Sequence, residues 1–243
     1  MGARSLLVSD VDGTLLGDDA ALQRLARWHA ARSDRLRLVY SSGRLFESVA
    51  ESVRTTALPE PWAIIGGVGT DVRRFADGAP LDAWQRRFRD FDAGAIRALL
   101  AGHHRLTLQP AALQSAHKVS YFAYDLDAAD VDGLHQQLQR AGFDARVVYS
   151  SNRDLDVLPT AAGKGNAAAF VAARCDTPPE ETIVSGDSGN DLAMFEQGFR
   201  GVVVANAHAE LKRLDGPNVY HSAHPYAAGV LDGLWHWLGE EPQ

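Results

Sequence analysis

The hydrophobic pattern opens with a short apolar run, residues 6–8, that runs into Asp10-Val11-Asp12-Gly13-Thr14. A run of that length closed by a glycine turn predicts a buried strand, and the tip of such a strand is where an open α/β sheet keeps its ligands. Leu22, Leu25, Ala26 and Trp28 then recur among charges at helical spacing, which predicts a helix over 18–33. A second apolar run at 36–40 ends on Ser41-Ser42-Gly43-Arg44 and leads into a helix-like stretch at 45–54. A third, at 62–65, is followed by Gly66-Gly67-Val68-Gly69 and a short hairpin through Arg74. The order β-α-β-α-β is that of a parallel sheet crossed by helices.

From about 79 to 159 the pattern changes. Helices are expected at 93–101 and 128–141, and strands at 106–109, 118–124, 145–150 and 155–158. Val119-Ser120-Tyr121-Phe122-Ala123 alternates in a way that implies a sheet with one free face. This reads as a small α+β module inserted into the α/β sheet as a lid, its open face turned toward the site. The α/β pattern then resumes, with a helix at 166–174, a strand at 182–185 and the loop Gly186-Asp187-Ser188-Gly189-Asn190-Asp191. A helix at 192–197, a strand at 201–205 and a helix at 208–214 follow, and Val230, Leu231, Leu234, Trp235 and Leu238 mark a packed closing helix at 227–238.

With 243 residues, 46% of them apolar and 23% charged, the chain suits one large domain or two modest ones in an ordinary soluble protein. A formal charge of -7 without a basic stripe argues against nucleic acid, although local positive groups can still hold a small anion. The single cysteine, Cys175, excludes an internal disulfide, fits a reducing compartment and reads as a packing residue. Arg4 followed only by the run at 6–8 is too short for a signal sequence, Leu6 breaks the myristoylation pattern, and no apolar run reaches membrane length. The expectation is a cytoplasmic protein with no membrane association.

Four strand tips carry polar chemistry: Asp10 with Asp12, Ser42, Lys164, and Asp187 with Asn190 and Asp191. Carboxylates held close together repel unless a cation or a shared proton intervenes. They suit a hard divalent cation such as magnesium, whereas hydroxyl, ammonium and backbone N–H groups suit phosphate oxygens. Taken singly, each has a plainer reading, Asp12-Gly13 as a turn and Ser42 as a helix cap. His103-His104 read as a solvated helix end, Trp62, Trp84, Trp235 and Trp237 as packing, and Glu240-Glu241 as a solvated tail. His221 and His224 are less suited to magnesium than the carboxylates are. There is no P-loop and no dinucleotide glycine pattern, which argues against a nucleotide-dependent kinase or reductase.

In this order, and at predicted strand ends, the motifs resemble those of the haloacid dehalogenase superfamily of phosphatases over nearly the whole chain. The first is matched by Asp10-Val11-Asp12-Gly13-Thr14, the second by Ser42, the third by Lys164 and the fourth by Gly186-Asp187-Ser188-Gly189-Asn190-Asp191. Lys118-Val119-Ser120-Tyr121, the stretch 150–159, Gly163-Lys164-Gly165-Asn166 and the stretch 201–207 are further similar to the sucrose-phosphate phosphatases. The resemblance implies an α/β fold with a Rossmann-like parallel-sheet core, 1–79 and 160–243, and an inserted α+β cap domain, 80–159, that selects the substrate.

It also implies magnesium as cofactor, Asp10 as the nucleophile that becomes an aspartyl-phosphate, and Asp12 as the acid that protonates the leaving sugar oxygen and then activates water. Ser42, Gly43, Lys164 and Asn190 would hold the phosphoryl group. Asp10, Asp12 through its backbone carbonyl, Asp187 and Asp191 would form the metal site, and Gln114, Lys118, Ser150, Asn152 and Asp154 the sugar pocket. The implied reaction is hydrolysis of a sugar phosphate, first of all sucrose 6-phosphate, by a monomer that associates with a sugar-phosphate synthase. Gly13 where the group often has Asn, Ser115-Ala116-His117 where an Asn-Pro-aromatic run is commoner, and Ser42 for a frequent Thr leave the sugar open. Mannosylfructose, glucosylglycerol and trehalose phosphates are the alternatives, as is a catalytically silent phosphosugar-binding regulatory subunit.

Overall fold

The computed structural model describes residues 5–239. The first half runs β1 (Ser5–Ser9), α1 (Asp19–Ala30), β2 (Leu36–Ser41), α2 (Phe46–Thr55), β3 (Ala63–Gly66), β4 (Asp71–Arg74), α3 (Asp82–Gln85), α4 (Ala93–Leu100), β5 (Thr107–Leu108), β6 (Val119–Phe122) and α5 (Ala128–Arg140). It continues with β7 (Ala145–Ser150), β8 (Asp154–Pro159), α6 (Lys164–Arg174), β9 (Thr182–Gly186), α7 (Leu192–Phe195), β10 (Arg200–Val203), α8 (Ala209–Lys212), β11 (Val219–His221) and α9 (Tyr226–Leu238).

Seven strands form one sheet in the order β11-β10-β9-β1-β2-β3-β4, parallel except where β4 returns against β3. Strand β1 lies inside this sheet, with β2 on one edge and β9 on the other. Leu7 joins Leu22, Leu25, Tyr40, Val230 and Leu234 on one face, under α1 and α9. Leu6 and Val8 join Ile65, Ala167, Val171 and Met194 on the other, under α6. This is the two-sided burial that makes parallel strands read as continuous apolar runs. The Asp18 carboxylate caps α1, accepting from the Ala21 N–H at 3.0 Å.

The inserted module is a second, antiparallel sheet in the order β5-β6-β8-β7. Its register places Val119 opposite Val157 and Tyr121 opposite Leu155, and these pack against Ile96, Leu134 and Leu138 of α4 and α5. The alternate positions pair Ser120 with Asp156 and Phe122 with Asp154, so the other face is largely polar.

Several elements differ from the sequence expectation. The strand expected at 106–109 is only β5, two exposed residues ahead of Pro110. The helix expected at 208–214 is the single turn α8, which buries only Leu211 and so has no apolar face to extend along. The helix expected at 192–197 is likewise one turn, with Gly198 at φ 78° turning the chain soon after it. Strand β11 and helix α3 are too short for any period to announce them. Trp84 is fully buried, its indole N–H donating to the Gly69 carbonyl at 3.0 Å. The expectations for Arg4 and for Glu240-Glu241 lie outside the described residues. Among those residues, no helix is long and apolar enough to cross a membrane.

Candidate active site

The parallel register brings the carboxyl ends of β1, β2 and β9 to one edge. Ser9 sits opposite Tyr40 on one side and Ser185 on the other, and the next residue, Asp10, continues the ladder by donating its N–H to the Ser185 carbonyl at 3.0 Å. Ser42 extends β2 in the same way, its N–H donating to Ile65 at 2.8 Å. Lys164, the first residue of α6, reaches this edge from below the sheet. Its ammonium is completely buried, with Nζ 2.6 Å from Asp10 Oδ1 and 2.6 Å from Asp191 Oδ1. The close approach of α6 depends on Gly165, where a Cβ would stand 2.0 Å from the Ala193 carbonyl oxygen.

The loop after β9 is closed by Asp191. Its Oδ2 accepts the N–H groups of Asp187 and Ser188, both at 3.1 Å, so both of its oxygens are committed. Asp187 accepts from Thr14 Oγ1 at 3.2 Å. Gly13, at φ 81°, must lack a side chain, because a Cβ there would lie 2.5 Å from Asp187 Oδ2. Asn206 pins the same turn by donating to the Gly13 carbonyl at 2.7 Å.

Asp10, Asp187 and Asp191 offer carboxylate oxygens within 4.8 Å of one another, and among the described residues no other acid joins this group. His221 and His224 belong to no such cluster among the described residues. Burial pushes the Asp10 carboxyl up to about 8, opposed by Lys164 and assisted by Asp191 and Asp187. Burial and Asp191 likewise raise Asp187 to about 6, against the pull of Lys164. Burial works against the charge on Lys164, yet Asp10 and Asp191 outweigh it and hold its pKa above the usual lysine value. A buried Asp10 Oδ2 with no hydrogen-bond partner, beside a second carboxylate, is a hard-oxygen donor set that fits a divalent cation. The residues therefore fit magnesium, to which Asp10 and Asp187 would offer oxygens, while Asp191 braces Lys164 and the loop. The side chain of Asp12 stands apart from this cluster, half-exposed, with Oδ2 2.9 Å from Arg44 Nε.

Above these groups is a cavity of about 370 Å³, walled by the sheet edge on one side and the inserted module on the other. Asp10, Asp12, Ser42, Gly43, Asp187 and Asn190 line the first wall. Lys118, Ser150 and Asp154 line the second. Lys118 is already engaged there, donating to Ser120 Oγ at 2.7 Å and Asp156 Oδ1 at 3.2 Å. Gln114 and Asn152 do not line the cavity. The Gln114 amide turns back on its own module, donating to the carbonyls of Gln109 and Ser120 and accepting from the Ser120 N–H. Asn152, at φ 50°, bonds Asp125 at 2.7 Å and Tyr149 at 2.9 Å.

Six polar lining residues have no site role in the sequence reading: Arg44, Gln109, Ser151, Arg153, Asp156 and Ser188. Asp156 was recoverable, because it lies two residues beyond Asp154 on the same strand face. Arg44 directly follows Ser42-Gly43, which is a weaker signal.

The sequence profile of the sucrose-6F-phosphate phosphohydrolases matches residues 3–238. The chain belongs to this family. Among relatives, it is 40% identical over 238 residues to the mannosylfructose-phosphate phosphatase of Agrobacterium fabrum, with 96% of each chain covered. It is 32% identical over 252 residues to sucrose-phosphatase 1 of Nicotiana tabacum, where it spans 59% of that protein's length. Its fold superposes on the crystal structure of the Synechocystis sucrose-phosphatase, solved with sucrose and phosphate, with a TM-score of 0.90 at 29% identity, covering 97% of this chain and 98% of the other. As a member of the sucrose-6F-phosphate phosphohydrolase family, this chain is a phosphatase with the haloacid dehalogenase fold.

Proposed function

We propose that this phosphatase acts on a sugar phosphate, first of all sucrose 6-phosphate, through an aspartyl-phosphate formed on Asp10 in the presence of magnesium. The observation that carries this reading is the meeting of Asp10, Lys164, Asp187 and Asp191 beneath a cavity whose far wall belongs to the inserted module. A phosphomonoester dianion repels an anionic nucleophile, so attack needs positive charge and donors around the equatorial oxygens. Asp10 and Asp187 would hold magnesium, which when bound would neutralise charge at the phosphoryl oxygens.

The chain's own groups supply the rest. Lys164 adds a fixed ammonium, and the Ser42 hydroxyl and the backbone at Gly43 give donors for the transferring group, with Asn190 beside them. An Asp10 oxygen forms the new bond to phosphorus as the bond to the sugar oxygen breaks, and Asp12 delivers a proton to that oxygen. In the second half, Asp12 takes a proton from the water that hydrolyses the aspartyl-phosphate. Acid assistance of this kind is worth about 10²- to 10⁴-fold.

The inserted module acts as a cap, with Lys118, Ser150, Asp154 and Asp156 presenting polar groups to sugar hydroxyls. Gln114 and Asn152 take supporting places behind that surface. The end-to-end likeness to the Agrobacterium protein favours mannosylfructose phosphate as the second reading. The reading includes action as a monomer. A cytoplasmic location and a sugar-phosphate synthase as partner complete the reading.

Phosphate release from sucrose 6-phosphate, mannosylfructose phosphate, glucosylglycerol phosphate and trehalose phosphate, each with magnesium and with excess chelator, tests this. Fast release from one of the first two, lost on chelation, is expected. Equal slow release across the panel would contradict selection by the cap. No release from any would favour a silent phosphosugar-binding subunit.

A further inference from the structure

Asp12, which the proposed mechanism uses twice, is held at the sheet edge by an ion pair rather than by an aligned hydrogen bond. Asp10 is tied to Lys164, Asp191 to Lys164 and two backbone N–H groups, and Asp187 to Thr14. The Asp12 carboxylate has one side-chain contact among the described residues, Arg44.

Arg44 is itself firmly placed. Its backbone N–H donates to Ser42 Oγ at 3.1 Å and its carbonyl accepts from the Gly67 N–H at 2.8 Å. Its Nη1 donates to Ser52 Oγ at 3.1 Å and Ser48 Oγ at 3.5 Å, one turn apart on α2. The remaining edge of the guanidinium, Nε and Nη2, is shielded from solvent and has no aligned hydrogen-bond acceptor, although Nε is 2.9 Å from Asp12 Oδ2. The Nε position is the one that faces Asp12, and it leaves the second carboxylate oxygen, Oδ1, without an ion-pair contact to Arg44.

We propose that Arg44 is the positioning residue for Asp12, its Nε holding Oδ2 so that Oδ1 is left to face the leaving sugar oxygen. This rests on the reading of Asp12 as the acid. The competing role, a direct grip on the phosphoryl group, makes different predictions. A sugar oxygen must be protonated as it leaves, whereas nitrophenolate departs without help. A residue that acts through Asp12 therefore discriminates between the two esters, and a phosphate ligand does not.

Rapid-quench kinetics of the first turnover test this, using the disaccharide phosphate turned over fastest and p-nitrophenyl phosphate, on wild type, Arg44→Ala, Asp12→Asn and the double variant. Arg44→Ala should slow cleavage of the sugar ester about 10- to 100-fold and nitrophenolate release by less than about threefold. In the Asp12→Asn background it should add less than about twofold. Inhibition by inorganic phosphate should be unchanged. Arg44→Gln, which keeps part of the stem and loses the guanidinium, should show the same selectivity if Arg44→Ala folds poorly by circular dichroism. Equal losses on both esters with weaker phosphate inhibition would overturn the proposal and make Arg44 a phosphate ligand. An Asp12→Asn variant without ester selectivity would remove the acid role, and this proposal with it. A selective Asp12→Asn beside an unselective Arg44→Ala would remove the proposal alone.

Discussion

The ammonium of Lys164 lies 2.6 Å from Asp10 Oδ1 across 154 residues of sequence, and neither group touches solvent appreciably. The contact joins α6 to β1 and gives the floor of the site its positive charge. Removing one partner of a buried pair strands the other, at a cost of about 3–5 kcal/mol. Lys164→Met should therefore lower the urea unfolding free energy by about that much and abolish phosphate release. Stability like that of the wild type would mean that Asp10 does not depend on this ammonium.

The buried carboxylates give the metal-free protein a defined pH response. Asp10, raised to about 8, and Asp187, raised to about 6, keep protons in the fold that an unfolded chain surrenders near the ordinary aspartate value of 3.8. The folded state thus binds more protons, and stability falls as pH rises from about 4 through 6 to 8. In chelator, the urea midpoint should decline over that window. Magnesium binding should release protons there, seen as a dependence of calorimetric heat on the buffer's ionisation heat. A flat midpoint and buffer-independent heats would contradict this.

Gly13 and Gly102 have nearly the same backbone conformation, at φ 81° and 82°, but different surroundings. A Cβ on Gly13 would collide with Asp187 Oδ2, while one on Gly102 meets nothing within 4 Å. Both alanine variants carry the left-handed strain of about 1–2 kcal/mol. Only Gly13→Ala should also weaken magnesium, by at least about 10-fold in the concentration needed for half activity, equivalent to about 1.4 kcal/mol. Equal magnesium dependence in the two variants would show that the turn does not shape the cation site.

Asp154 lines the cap side of the cavity and accepts from Gln109 Nε2 at 2.8 Å. Hydrogen bonds to a charged group are worth about 1.5–3 kcal/mol. Asp154→Ala should raise KM for the disaccharide phosphate by about 10- to 100-fold and change p-nitrophenyl phosphate turnover by less than about twofold. Equal effects on both would place Asp154 outside sugar recognition.

Much of this arrangement is legible in the sequence. Apolar runs ending at Asp10, Ser42 and Asp187 mark strand tips, and a parallel sheet puts such tips on one edge, so the convergence of distant residues follows from topology alone. Lys164 is legible as the residue just before a helix expected at 166–174, and the structure begins that helix at Lys164 itself. What stayed hidden depends on side-chain direction. Gln114 has the right chemistry for a sugar ligand, yet its amide is consumed by the Gln109 and Ser120 backbone, while Gln109 reaches the cavity instead. Asn152 is diverted in the same way by Asp125 and Tyr149. Short elements such as α8 and β11 carry too few residues for any periodicity, and only their packing against the sheet defines them.

The most direct test of the account is magnesium-dependent phosphate release by wild type and Asp10→Asn on the preferred sugar phosphate, with folding of the variant checked by thermal unfolding. The account expects a folded variant with no turnover, and a wild type whose activity disappears with chelator and returns with magnesium. Turnover by folded Asp10→Asn at the wild-type rate would contradict it.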